Sequence, residues 1–338
     1  MTKANEPLLV LGIDTSNYTT SLALVDTAGT LIREERKLLT VREGERGLRQ
    51  QEALFQHVQN FPALSKALFA GIDPAALAAV SVSTRPRPVE GSYMPCFTAG
   101  MSLGHSMAAA LGIPCSEFSH QEGHIEAAWP ETARQKGLTQ FHAFHMSGGT
   151  CEVLEVTEQR VHDRFAGYSI RIIGGTKDIS FGQVLDRIGV YLGMGFPAGA
   201  EMDRIACGVN ASCAEIPRVK VQDRWIHLSG FETAVRRVLG DREADSHVDA
   251  SAVDEEKKTA VIHTLLDSFA KAIGAMTEGL GTTLLVGGVS ESTYIRNALA
   301  PRADIVFGAQ GMGRDNAIGI ARLGSRVLWQ ENQSASIN

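Results

Sequence analysis

Two histidines four residues apart, His120 and His124 in FSHQEGHIEAA, have the spacing in this sequence best suited to chemistry. If they open a helix, positions i and i+4 project from one face, as two imidazole ligands of a single divalent ion must. Taken singly, each reads as an ordinary polar residue. Gln121 follows His120 where the helical zinc-protease motif requires glutamate, and Glu122 lies off the shared face, so a metalloprotease reading is poor.

Other polar stretches suit anion binding. Ser147-Gly148-Gly149-Thr150 separates two strand-like runs and reads either as a plain hairpin turn or as a phosphate-contacting one. A comparable turn, Asp14 to Thr20, follows the apolar run LLVLGI near the start of the chain. Two such turns, one per lobe of a duplicated fold, can present backbone N–H groups and hydroxyls to a phosphate chain. Gly287-Gly288-Val289-Ser290 ends a strand and opens a helix, where N–H groups and the helix dipole attract polar ligands. Asp315 precedes the last helix, and nothing local makes it more than an N-cap. Thr84-Arg85-Pro86-Arg87-Pro88 is a stiff basic loop, equally suited to solvent or to a phosphate or carboxylate. His142 and His145, three apart in a strand, face opposite sides and share no metal; His145 adjoins the glycine turn.

The elements that must position these residues alternate between strands and helices. Strands are expected at residues 8–13, from Ser21 to Val25 and near Thr30–Glu34, joined by tight turns into a meander. A helix follows over about 48–69, kinked or split at Pro62, then strand 80–83, helix 97–111 closed by Gly112, and strand 113–118. The pattern restarts with strands at 141–146 and 151–156, a late strand at 284–286, and helices near 178–193, 257–279 and 315–329. Residues 242–256 are polar and charged and read as a mobile loop.

At 338 residues with 44% hydrophobic content, the chain has enough apolar sequence for two cores. Its net charge of −6 gives no whole-surface attraction to nucleic acid and leaves room for a local basic patch. No run is long enough to span a membrane, and five scattered cysteines fit reduced thiols, so a cytoplasmic location without membrane contact is expected.

Read in order, GIDTSNYTTSLAL, FSHQEGHIEAA, HMSGGTCEVLEV, VLDRIGVYLGM, LSGF, LLVGGVSES and GRDNAIGIA resemble the TsaD family from about Leu8 to Leu323. The resemblance implies an α/β, two-lobed actin-like ATPase fold, of the sugar-kinase, Hsp70 and actin type, with duplicated β-β-β-α-β-α units. It places a first lobe at 1–125, with the terminal helix 318–338 packed back on it, and a second at 126–317. It also implies transfer of a threonylcarbamoyl group from its adenylate to N6 of adenosine 37 in tRNA.

By position, the family's metal ligands fall on His120, His124 and Asp315, implying one divalent ion, iron or zinc. Its contacts to an adenine nucleotide (ATP, ADP or the acyl-adenylate) fall on His145, Met146, Ser147, Gly148, Gly149, Asp186 and Gly199, with Gly287, Gly288 and Ser292 beside them. No side chain is assigned as catalytic acid or base. tRNA, a TsaB-like protein and a second copy of the chain are the implied partners.

The sequence departs from the family in three places. Asn17-Tyr18-Thr19 replaces the Cys-Asp-Glu of the usual ETSCDET turn. Arg85-Pro86-Arg87-Pro88 replaces a loop of the GPGL type, and Ser292 stands where the family has asparagine. These changes point to a divergent paralogue. They keep open a carbamoyl donor, a non-tRNA acceptor as in HypF-like domains, and a non-catalytic nucleotide-binding scaffold. A sugar kinase would leave both histidines unexplained.

Overall fold

The computed structural model describes residues 8–41, 48–130, 138–209, 212–213, 215–240, 254–312 and 316–335, with side chains described as far as 328. They form two compact units: Met1–Trp129, Thr157–Ile170 and Arg314–Asn338 in unit 1, and Pro130–Val156 with Arg171–Gly313 in unit 2.

The chain begins with β1 (Leu9–Thr15), β2 (Thr19–Asp26), β3 (Leu31–Leu38), α1 (Gln50–Leu68), β4 (Leu77–Arg85), α2 (Phe97–Leu111), β5 (Cys115–Ser119) and α3 (His120–Ala128). It continues through β6 (Gln140–Met146), β7 (Cys151–Val161), β8 (Arg164–Thr176), α4 (Phe181–Tyr191), α5 (Gly199–Cys207), β9 (Trp225–Ile226) and α6 (Ser229–Val238). The last elements are α7 (Glu255–Met276), β10 (Thr283–Val286), α8 (Thr293–Leu299), β11 (Ile305–Phe307) and α9 (Ile318–Ala335).

The first sheet has the order β3-β2-β1-β4-β5, with an antiparallel meander β1 to β3 and with β4 and β5 joined in parallel. The second, β11-β10-β6-β7-β8-β9, repeats that order from β8 to β11 and again joins its late strands in parallel. Duplication is thus explicit in topology, although the two halves share few letters.

Every residue of β1 is buried, because helices cover both faces. Leu9, Leu11 and Ile13 meet Phe61, Leu64 and Leu68 of α1 and Ala99 and Ala108 of α2. The alternate positions, ending at Asp14, turn toward α9, which approaches the β1 backbone at Gly12. α3 lies against α9 as well. Its start is fixed by a capping box: Ser119 Oγ accepts from Glu122 N at 3.2 Å, and Glu122 Oε2 accepts from Ser119 N at 2.6 Å. Tyr168 N donates to the other Glu122 oxygen at 2.8 Å. At the far end, buried Glu126 accepts from Tyr168 Oη at 2.6 Å and from Arg326 at 3.2 Å. α3 is therefore locked at both ends within unit 1.

The structure differs from the sequence expectations in several elements. α1 runs through Pro62 without splitting: Pro62 is exposed while Phe61, Leu64 and Leu68 anchor the helix, so packing outweighs one lost hydrogen bond. Asp14, Thr15, Thr19 and Thr20 are buried strand residues, and only Ser16 to Tyr18 form the turn. β8, α5 and α6 add to the expected elements. Of the charged stretch 242–256, all but residues 254–256 lie outside the described residues; Asp254 caps α7 through Lys257 N. Among the described residues no helix is long and apolar enough to cross a membrane.

One buried group gives this fold a pH dependence. His57 Nδ1 lies 2.8 Å from Thr20 Oγ1, which itself accepts from Asn60 Nδ2 at 3.0 Å. Thr20 Oγ1 shares a hydrogen bond with the imidazole, and burial pushes His57 down to about 4. Its folded pKa lies below its unfolded one. Stability is thus retained above about pH 6.5 and lost as pH falls toward 4. Urea titration should show a loss of about 2 kcal/mol between pH 7 and pH 5, and His57→Gln should flatten that loss.

Candidate functional site

The histidine pair stands as its spacing implies. His120 is the first residue of α3 and His124 follows one turn later, with ring centroids 4.3 Å apart at an interplanar angle of 75°. Asp14, at the end of β1, accepts from His120 Nδ1 at 2.9 and 3.1 Å. Its side chain is fully buried while the His120 side chain keeps 19% exposure. With Nδ1 donating to the carboxylate, His120 presents Nε2 outward, the arrangement that orients and strengthens a metal-bound imidazole. Two imidazoles backed by a buried carboxylate thus fit a divalent ion. Asp315 lies outside the described residues, and among those described no three His, Cys, Asp or Glu side chains are placed to hold a metal ion together, Asp14 reaching only the far nitrogen of His120.

The Arg85–Pro88 loop reaches the same helix start. Pro86 O accepts from Gln121 N at 3.0 Å, capping one of the open N–H groups in the first turn of α3. Arg87 N donates to Ser92 Oγ at 3.0 Å, and Arg85 donates to Thr84 Oγ1 at 3.2 Å. The loop is thus held beside His120 by its backbone, with Arg85 and Arg87 half-buried.

In unit 2 the glycine turns gather at the carboxyl ends of β6 and β10, which are parallel neighbours with His145 opposite Val286. Ser147 N donates to Thr150 O at 2.8 Å, closing the turn after Met146. Gly149 N and Thr150 N both converge on Ser147 Oγ, at 3.3 and 3.0 Å. Convergent N–H groups on one oxygen form the kind of nest that receives an anionic oxygen. α4 begins against this turn: Ser180 Oγ donates to Gly148 O at 2.8 Å, and a Cβ at Gly182 would lie 2.6 Å from Gly148 Cα.

Gly287 has φ +92°, and a Cβ there would stand 2.2 Å from Met146 O, so only glycine lets the two strand ends meet. Asp186, one turn along α4 from Gly182, accepts from Ala198 N at 2.9 Å and so fixes the residue before Gly199. Ser292 caps α8 through Ile295 N and donates to Asp203 of α5; Asp203 also accepts from Thr293 N and Tyr294 N. His145 to Gly149, Gly287 and Gly288 are therefore brought together, and Asp186 is joined to them along α4. Gly199 and Ser292 lie around α5. Sequence reasoning missed Asp14 as the partner of His120; the available signal was a carboxylate directly after the apolar run Leu9–Ile13.

This duplicated topology defines an actin-like ATPase fold. Two solved structures align with nearly the whole chain: the activator of 2-hydroxyisocaproyl-CoA dehydratase from Clostridium difficile, bound to ADPNP, and component A of the Acidaminococcus fermentans (R)-2-hydroxyglutaryl-CoA dehydratase. The first has a TM-score of 0.51 at 14% identity, over 97% of this chain and 98% of the other. The second has 0.51 at 12%, over 96% and 99%.

A family model described as TsaD, tRNA N6-adenosine threonylcarbamoyltransferase, matches residues 36–321, and the chain belongs to that family of transferases. The similar protein of that name from Salinibacter ruber is 26% identical over 95% of each chain. The one from Thermotoga neapolitana is 26% identical over 93% of each.

Proposed function

We propose that this chain transfers a threonylcarbamoyl group from its adenylate to N6 of adenosine 37 in tRNA. In that reaction the exocyclic amine attacks the carbamoyl carbon, a C–N bond forms, the bond to the AMP phosphate breaks and the amine gives up a proton. The observation that carries the reading is the His120–His124 pair backed by buried Asp14, in a chain matched by the TsaD model over 36–321. Iron or zinc bound there, with Asp315 as third ligand, would supply a Lewis acid for the donor's carbonyl oxygen. Asp14 holds the His120 ring in the tautomer that leaves Nε2 outward. Within unit 2, the nest at Ser147 to Thr150 is suited to a nucleotide phosphate when the Ser147 hydroxyl turns aside, with Gly287 and Gly288 beside it. A cytoplasmic site of action and a TsaB-like partner belong to the same reading.

Purified protein supplied with threonylcarbamoyl-adenylate and bulk tRNA should release AMP and form threonylcarbamoyladenosine. AMP release without the modified nucleoside would reject tRNA as acceptor. A second reading, a small or peptide acceptor bearing phosphate or carboxylate, draws on Arg85 and Arg87 being held beside His120. It requires AMP release with such an acceptor, or from carbamoyl-adenylate, in the absence of tRNA. No AMP release under any condition would leave the scaffold reading.

The nucleotide role has its own test. A Cβ at Gly148 meets nothing within 4 Å, so Gly148→Val leaves the fold intact while pushing methyl groups to where a phosphate approaches. Calorimetry should show AMP or ATP affinity reduced about tenfold or more, about 1.4 kcal/mol, at an unchanged melting temperature. Unchanged affinity removes the phosphate from this turn.

A further inference from the structure

A net charge of −6 repels a polyanion, so RNA contact requires a local concentration of positive charge. Unit 2 has one at the edge of its sheet. A cavity of about 370 Å³ is bounded by Lys177, Arg218, Lys220 and His227, with the rings of Trp225 and Phe231 in its wall. Among the described residues no acidic side chain lines it. Lys177, Arg218 and Lys220 make no ion pair among the described residues, and Lys177 Nζ stands 5.9 Å from the centre of the Trp225 ring. The nearby carboxylate of Asp178 is taken up by Ile179 N, Leu228 N, Ser229 N and Ser229 Oγ at 2.6–3.0 Å. Those donors hold it well below the usual carboxylate range.

The indole is displayed by a strained turn. Gln222 and Trp225 exchange backbone hydrogen bonds of 2.9 and 2.8 Å around Asp223 and Arg224, both left-handed at φ 49° and 65°. Neither is glycine, so the conformation is costly and must be held by its surroundings. Arg224 supplies that hold by donating to Met276 O at 3.3 Å and Glu278 O at 3.1 Å. β9 then pairs with β8 at Gly175 and Thr176, placing Trp225 beside Lys177. The fold thus fixes a partly exposed aromatic ring among three cations that make no ion pair with a described residue, the combination that binds single-stranded nucleic acid by stacking a base and neutralising phosphates.

We infer that this cavity is a docking site for the sugar-phosphate strand of the tRNA substrate, with one unpaired base against Trp225 and phosphates on Lys177, Arg218 and Lys220. This rests on the tRNA reading above. An acidic protein segment would use the cations but has no use for a rigid, solvent-facing indole among them.

The test is tRNA binding by the full-length protein, followed by fluorescence anisotropy across a salt series. Combining Lys177→Gln, Arg218→Gln and Lys220→Gln should weaken binding roughly a hundredfold near 0.1 M salt and make the slope of log K against log salt shallower by about 2. Trp225→Ala should cost about tenfold without changing that slope, and Trp225→Phe should restore most of the loss. The control set Lys66→Gln, Lys258→Gln and Lys271→Gln makes the same change in net charge elsewhere and should bind as wild type. Circular dichroism confirms folding of each variant. Wild-type-like binding by the first set, an equal loss in the control set, or competition by poly-glutamate as strong as by unlabelled tRNA overturns the site while the tRNA reading stands. A wild-type protein that binds no tRNA overturns both.

Discussion

On the reading proposed above, replacing His120 and His124 together with alanine should take the protein from close to one iron or zinc ion per chain to none by elemental analysis of the purified protein. Alanine favours helix more than histidine does, and the capping box at Ser119 and Glu122 is untouched, so α3 persists. What changes besides the metal is Asp14. Its fully buried carboxylate loses the His120 donor, which costs about 1–3 kcal/mol and shows as a lowered urea midpoint. Transferase activity should fall by about three orders of magnitude or more, since several kcal/mol of transition-state charge stabilisation go with the ion. A double variant that retains its metal rejects the site.

Asp14→Asn separates positioning from ligation. It keeps both imidazoles but weakens the grip on His120 Nδ1, so metal affinity should fall about 10–100-fold without vanishing. Chelator should lower the melting temperature of wild type but not of the double variant, because a ligand that binds only the folded state stabilises it by mass action.

The difference between these two residues reflects what a sequence carries. His120 and His124 were legible because helical geometry converts a spacing of four into one face. Asp14 lies 106 residues from His120, and only the alternation of β1 and the course of α3 place it there. Within its motif it looked like part of a polar turn. Burial of Thr15, Thr19 and Thr20 shows that most of that segment is strand, with hydroxyls serving internal contacts such as Thr20 to His57.

Elements with strong punctuation were also legible. α2 spans Phe97–Leu111 and ends at Gly112 with φ +67°, as the glycine implies. β8 escaped notice because Gly167, Gly174 and Gly175 interrupt it and read as breakers, although its buried residues partly alternate. Its first half lies in unit 1, where Tyr168 meets Glu122 and Glu126 of α3, a long-range role that no local pattern encodes. The trapped turn at Asp223 and Arg224 was illegible for the opposite reason: its letters are poor for a left-handed pair, and tertiary contacts through Arg224 override them.

Gly319→Val should unfold unit 1 at ordinary temperatures. α9 crosses α3 where Gly319 faces Gly123, and a Cβ on Gly319 would stand 1.8 Å from Gly123 O and 2.8 Å from Ala127 N. Both are backbone atoms of a helix whose ends are fixed by Glu122 and by Glu126 with Arg326, so neither rotates aside. The helices would have to separate by an ångström or more, opening the contacts that Ile320 and the Arg322 hydrogen bonds to Gly29 O and Ala127 O make. Overpacking of this kind commonly costs about 1–3 kcal/mol, and displacement of a whole buried helix raises the cost to about 5 kcal/mol or more, comparable to the stability of a domain. The expected result is insoluble protein, or soluble protein without a cooperative melt. Gly319→Ala should show a smaller loss in the same direction, since it carries the same Cβ without the added methyl groups. Gly148→Val, equally bulky at an open position, should melt as wild type. A Gly319→Val protein that melts within about 2 °C of wild type would show that α3 and α9 slide apart cheaply, and that His120 and His124 are held by β1 and the Pro86 loop rather than by this helix crossing.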